Sequence, residues 1–164
     1  MTDDLTLREA IQLAVTTEQL GRDYYERMAK KFAGEADASA AFGQLAKDEQ
    51  AHEEQFKRIL EAVPKDEDQS SRYELYQYLR ATAISQFFQQ DYFKKADKIE
   101  TASDALAAAL HFEKTTMQFY QAIREITGEN KQLDAIIAAE RRHVLSIVKI
   151  LPTDAKFRGL GDSF

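Results

Sequence analysis

Four stretches of this chain place apolar residues at the alternating steps of three and four that bring side chains onto one helix face, and each face carries a glutamate near its middle. Over residues 38–62 and the residue that follows, the face reads Phe42, Leu45, Glu49, His52, Phe56, Ile59 and Val63. Between 130 and 151 it reads Leu133, Ile136, Glu140, His143, Ile147 and Ile150. The stretches 6–33 and 103–127 give Ile11, Glu18, Tyr25 and Phe32, and Leu106, Glu113 and Tyr120, at heptad spacing. A chain with four such faces folds as helices packed around ionisable groups, and those groups have to be compensated.

Gathering four carboxylates in an interior costs many kcal/mol in desolvation and mutual repulsion unless they are protonated or paired with cations. Two divalent ions supply the opposing charge. Residues at i and i+3 share a helix face, so Glu49 with His52, and Glu140 with His143, can each direct a carboxylate oxygen and an imidazole nitrogen at one centre, and Glu18 and Glu113 add one carboxylate each. One Glu-x-x-His is a weak signal, more often a solvated pair. Here two of the three histidines carry a glutamate at that spacing, both on inner faces. One glutamate from each of two helices plus Glu-x-x-His from each of the other two is the ligand set of ferritin-like di-iron carboxylate proteins. Hard carboxylates with neutral imidazole suit iron or manganese, with Zn or Co as substitutes. The predicted ligands are Glu18, Glu49, His52, Glu113, Glu140 and His143, holding two iron ions per chain.

Boundary signals divide the chain accordingly. Thr6 with Glu9 forms a capping-box pattern and Gly34 closes the first segment. Asp37 or Ser39 opens the second, which stops before Pro64. Ser71 with Glu74 predicts a crossover helix over about 72–89, Thr101 or Ser103 opens the next helix, Gly128 ends it, and Asn130 starts the last, which stops before Pro152. Short links make two antiparallel hairpins, and the long middle connection carries the chain from one end of the bundle to the other. The expected fold is all-α, a single ferritin-like antiparallel four-helix bundle spanning residues 1–164, with a helical crossover and a short tail over 152–164. The hairpins also echo one another: Glu18 and Tyr25 align with Glu113 and Tyr120, and Glu49, His52, Ile59 and Leu60 with Glu140, His143, Ile150 and Leu151. A pseudo-two-fold axis between them follows.

Composition narrows the chemistry. With no cysteine, thiolate sites, disulfides and cysteine-ligated iron–sulfur clusters are ruled out for this chain. A net charge of -6 without a basic stripe argues against nucleic acid. No apolar run approaches the roughly 20 residues needed to span a bilayer, so no membrane association is expected. The opening MTDDLTLREA lacks the basic flank and apolar stretch of a signal peptide, and a cytoplasmic location is expected.

Tyr25 and Tyr120 each lie two turns beyond a ligand glutamate, as core aromatics, or as hydrogen-bond donors to the carboxylates or relays for electrons. His111 falls about 200° around its helix from Glu113 and is expected at the surface or an interface. Tyr73, Tyr76, Tyr78, Phe87, Phe88, Tyr92 and Phe93 make the crossover too aromatic for one exposed helix, so it should pack over the bundle, with part forming a homodimer interface. Phe157, Leu160 and Phe164 of the tail could dock in the same way. The long connection is also compatible with a domain-swapped dimer.

Through Glu18 to Tyr25, the two Glu-x-x-His pairs and Glu113 to Tyr120, residues 6–151 resemble the rubrerythrin-like branch of the ferritin-like superfamily. The resemblance implies reduction of hydrogen peroxide or O2 at a di-iron site, fed by an external electron donor, since this chain lacks the cysteine-ligated rubredoxin domain of full-length rubrerythrins. Rubrerythrins tend to bring two carboxylates one turn apart from the third bundle helix, where this chain has Leu110 and Thr116 flanking Glu113. Bacterioferritin resembles the same ligand pattern but places a haem-ligating methionine where Gln50 stands, so no haem is expected. A ferroxidase or iron-storage protein, and a metal-free bundle that binds another protein through the aromatic crossover, are the alternatives.

Overall fold

The computed structural model describes residues 5–65, 72–94 and 96–152. Five helices are present there, with no strand among the described residues: α1 Leu7–Lys31, α2 Ala36–Ala62, α3 Tyr73–Lys94, α4 Ala102–Thr127 and α5 Lys131–Ile150. A 3₁₀ turn, Ala96–Lys98, sits between α3 and α4.

The helix ends follow from local chemistry. Thr6 and Glu9 form a reciprocal capping box, with the Glu9 backbone N–H donating to the Thr6 hydroxyl and the Thr6 backbone N–H donating to the Glu9 carboxylate. Thr101 accepts from Asp104 N–H, and Asn130 accepts from the N–H groups of both Gln132 and Leu133. Gly128 ends α4 at φ 71° and ψ -156°, a conformation essentially confined to glycine. The second helix departs from expectation. It starts at Ala36 after Glu35, which makes no side-chain cap, and Ser39 instead donates to the Ala29 carbonyl across the turn. Its last turn has no basic residue of its own, and Arg8 of α1 donates to the carbonyls of Leu60 and Val63. The crossover helix α3 runs to Lys94, past the expected end near Gln89. Ser71, the side chains of Phe87, Phe88, Tyr92 and Phe93, and the tail aromatics Phe157, Leu160 and Phe164 lie outside the described residues.

Buried apolar residues form two clusters that every bundle helix crosses in turn. In α1, Leu7 to Val15 belong to one cluster and Tyr24 to Met28 to the other; in α2 the order is reversed, from Ala38 to Ala46 and then Phe56 to Ile59. The second hairpin repeats this reversal. Neighbouring bundle helices are therefore antiparallel, with α1 packed on α2 and α4, and α5 on α4 and α2. The crossover α3 rests on α4 and α1 and returns the chain from the second cluster, through Tyr76, Leu79 and Ala83, to the first at Ala96. That leaves the α2–α5 side without a covering helix among the described residues. The aromatic crossover packs only in part as expected, since Tyr76 is buried while Tyr73 is 64% and Tyr78 45% exposed. Ile150, expected on the inner face of α5, is also exposed, because it lies at the very end of the helix. None of the described helices is long and apolar enough to cross a membrane.

Candidate metal centre

Between the two apolar clusters lies a layer of ionisable side chains, one turn thick: Glu18 from α1, Glu49 and His52 from α2, Glu113 from α4, and Glu140 and His143 from α5, all of them buried. Helical spacing brings each there, because each occupies the inner-face position between apolar residues of both clusters. The structure thus brings together all six residues that the sequence singles out. They form two overlapping groups, Glu18, Glu49, His52 and Glu140, and Glu49, Glu113, Glu140 and His143, each with donor atoms within 4.8 Å of one another. Glu49 and Glu140 belong to both.

The distances have a pattern that hydrogen bonding alone does not explain. His52 Nδ1 lies 3.6 Å from Glu18, 3.1 Å from Glu49 and 2.9 Å from Glu140. His143 Nδ1 lies 3.8 Å from Glu49, 3.2 Å from Glu113 and 3.3 Å from Glu140. A single imidazole N–H cannot serve three carboxylates, and Glu49 Oε1 and both Glu140 oxygens are left without a well-formed hydrogen bond. Ligand bonds of about 2.0 to 2.2 Å would place adjacent donor atoms about 3.0 Å apart in an octahedron and about 3.4 Å apart in a tetrahedron. Four of the six spacings, from 2.9 to 3.3 Å, fall near such edges and the other two, 3.6 and 3.8 Å, are wider, and the donor set fits a pair of divalent cations.

Without cations the cluster is electrostatically strained. Burial first, and then the charges of Glu18, Glu113 and Glu140, push the Glu49 carboxyl well above its usual range. Burial and the Glu140 charge raise Glu113 to about 7. Burial would raise Glu140 too, but the close approach of His143 and His52 prevails and lowers it to about 2. For His52, burial acts downward and is outweighed by Glu140 and Glu18, which raise it to about 11. His143 is raised likewise against burial, by Glu113 and Asp48. The imidazole rings stack with centroids 5.5 Å apart.

Two tyrosines bind the outer carboxylates across the bundle. Tyr25 of α1 donates to Glu113 of α4, and Tyr120 of α4 donates to Glu18 of α1. Burial and the nearby glutamate charges raise both phenols well above their ordinary value, so they remain protonated donors. His111 is half-buried, outside the cluster.

Two participants are absent from the sequence reading. Asp48, beside Glu49, reaches His143 Nε2 at 3.2 Å. Glu53, beside His52, is 4% exposed and accepts from Gln19 at 2.8 Å and Arg22 at 2.6 Å, with Lys57 at 2.8 Å. Their one-residue offset rotates them about 100° from the inner face, so periodicity gives no sign of either, although Lys57 one turn further along α2 hints at a partner for Glu53. On the α2–α5 side, a cavity of about 380 Å³ is lined by Asp48, His52, Gln55, Ala139, Arg142 and His143.

No curated protein and no solved structure gives a significant match to this chain. The family model described as Rubrerythrin, a ferritin-like di-iron carboxylate family, matches residues 9–151 and so covers all four bundle helices and the whole carboxylate–imidazole layer. The chain belongs to the rubrerythrin family.

Proposed function

We propose that this chain is a binuclear iron protein that reduces hydrogen peroxide or O2 with electrons from an external donor. The observation that carries the reading is the pair of four-residue groups sharing Glu49 and Glu140, with Glu49 Oε1 and both Glu140 oxygens lacking a well-formed hydrogen bond among the described residues. On this reading Glu18, Glu49, His52 and Glu140 would hold one ion and Glu49, Glu113, Glu140 and His143 the other, with Glu49 and Glu140 common to both groups. Four carboxylates balance two divalent charges, with neutral imidazoles supplying one nitrogen to each position.

When bound, a ferrous pair would supply two electrons, enough to convert one peroxide and two protons into two waters. The chain's own residues set the stage for this. Tyr25 and Tyr120 hold Oε1 of Glu113 and of Glu18, leaving Oε2 of each turned toward the imidazoles. The apolar clusters on both sides exclude bulk water, and the cavity beside both histidines on the α2–α5 side is a route by which a small oxidant could approach. These 164 residues hold no cysteine for a reducing cluster, which supports a donor that lies outside them.

The test is elemental analysis on protein purified without chelator, beside a Glu49→Ala, His52→Ala variant, followed by anaerobic ferrous loading and peroxide addition. About two irons per chain, lost in the variant, and repeated peroxide consumption once a donor is supplied are expected. Accumulation of many irons per chain would replace this reading with storage. Absence of metal even after loading would leave a structural bundle.

A further inference from the structure

The two halves of the cluster are related by the internal repeat, yet their outer surroundings differ. On α2, Gln44 donates through Nε2 to Asp48 Oδ1 at 2.9 Å, and Asp48 Oδ2 stands 3.2 Å from His143 Nε2. The repeat pairs Glu49 with Glu140, so the counterparts of Gln44 and Asp48 on α5 are Ala135 and Ala139. Neither alanine can orient a ring. Every polar contact of His52 among the described residues runs through Nδ1, and Ala135 and Ala139 line the cavity beside it.

We propose that Asp48 is a positioning residue that fixes His143 with its Nε2–H turned outward and its Nδ1 lone pair turned inward, making the Glu113–His143 position the tighter of the two metal positions. This deepens the di-metal reading and rests on it. An imidazole can bind a cation through Nδ1 only in the tautomer, or imidazolium deprotonated to the tautomer, that keeps its proton on Nε2, and a carboxylate accepting that proton selects the tautomer, orients the ring and strengthens its basicity. Gln44 immobilises the other oxygen of Asp48, so the acceptor is itself oriented. Among the described residues, His52 has no such partner to set its tautomer and ring orientation.

The two positions are separated by titrating the chelator-treated chain with Co(II) and following the visible absorption of the bound ion. In the unmodified chain two phases are expected, the first tighter. Asp48→Ala, at a site whose side chain is 38% exposed, should leave helicity intact, weaken the first phase by about 10- to 100-fold and leave the second in place. Asp48→Asn keeps an oxygen that can accept from Nε2 and should recover part of the loss. Glu113→Ala should remove the tight phase and Glu18→Ala the weak one. In proton NMR of the Co(II)-loaded chain, an exchangeable imidazole N–H signal should be present and disappear in Asp48→Ala. Superimposable titrations of Asp48→Ala and the unmodified chain, equal weakening of both phases, or a tight phase that survives Glu113→Ala would overturn the assignment of Asp48 while leaving two bound ions in place. A chain that takes up no Co(II) overturns the di-metal reading and this inference together.

Discussion

Gly21 lies in the middle of α1, where helix propensity alone favours alanine by about 1 kcal/mol. A Cβ added there would stand 3.0 Å from Phe112 Cε1 and 3.3 Å from Phe112 Cζ, and 3.5 Å from Glu49 Cγ. Carbon pairs prefer about 3.5 to 4.0 Å, so the ring has to move. It has little room: Phe112 is 3% exposed and sits edge-on to Tyr25 at 6.4 Å, the tyrosine that holds Glu113. Overpacking of this kind costs about 1 to 3 kcal/mol, which exceeds the propensity gain and leaves Gly21→Ala destabilised by about 1 kcal/mol. Gly43 is the internal control. It also lies inside a helix, but a Cβ there meets nothing within 4 Å, so Gly43→Ala should stabilise by about 0.5 to 1 kcal/mol. Urea unfolding of the chelator-treated variants reads the difference, and in thermal unfolding the two should separate by about 4 to 8 °C. Phe112→Leu in the Gly21→Ala background should return part of the loss. A Gly21→Ala chain as stable as the Gly43→Ala chain would refute the close packing of α1 on Phe112.

Three further outcomes follow from the site and its surroundings. Tyr25→Phe should weaken Co(II) binding at the Glu113 position and Tyr120→Phe at the Glu18 position, each by about 10- to 100-fold, because each leaves a buried carboxylate oxygen without its donor; a titration unchanged in both would make these tyrosines plain core residues. Glu53→Ala strands Arg22 and Gln19 and should cost about 1 to 3 kcal/mol in urea unfolding. Although burial acts upward on Glu53, its bonds from Lys57 and Gln19 and the Arg22 charge lower its pKa, so its contribution is present above the ordinary value of 4.5 and is lost as the pH falls through the lower folded-state value. The gap between Glu53→Ala and the unmodified chain should therefore close in acid. Metal uptake should release protons, since His52 is raised to about 11, Glu113 to about 7, and His143 and Glu49 are also raised. Net proton release at pH 7 is expected on filling both positions, with affinity falling as the pH drops; calorimetry in buffers of different ionisation enthalpy counts the protons, and a count of zero would contradict the protonated cluster.

The helices and the six cluster residues were legible in the sequence because both obey the same periodicity: a glutamate at an otherwise apolar inner-face position can be identified without knowing what lies opposite. Caps formed by Thr6, Thr101 and Asn130 were equally legible, being local hydrogen bonds between residues three apart or fewer. The entry to α2 was not, because Ser39 resembles a cap and instead reaches back to Ala29 in the preceding helix. Asp48 and Glu53 escaped for the same reason. Each occupies a helix flank where acidic residues are ordinarily solvated, and the approach of His143 or Arg22 from another helix ties it to the bundle. The crossover shows the converse error, since aromatic content alone does not say which of Tyr73, Tyr76 and Tyr78 faces inward.

The tyrosine bonds have a geometric consequence of their own. Tyr25 reaches Glu113 and Tyr120 reaches Glu18, so each hairpin supplies the donor that the other hairpin's carboxylate accepts. Such reciprocity, in which i meets j and j meets i, is the signature of an isologous interface between identical subunits. The bundle is thus a two-fold dimer written into one chain, with the carboxylate–imidazole layer on its dyad and α3 as the tether between the halves. Everything that sets one half apart from the other, from the Gln44–Asp48 pair to the helix laid over α1 and α4, is a departure from that symmetry.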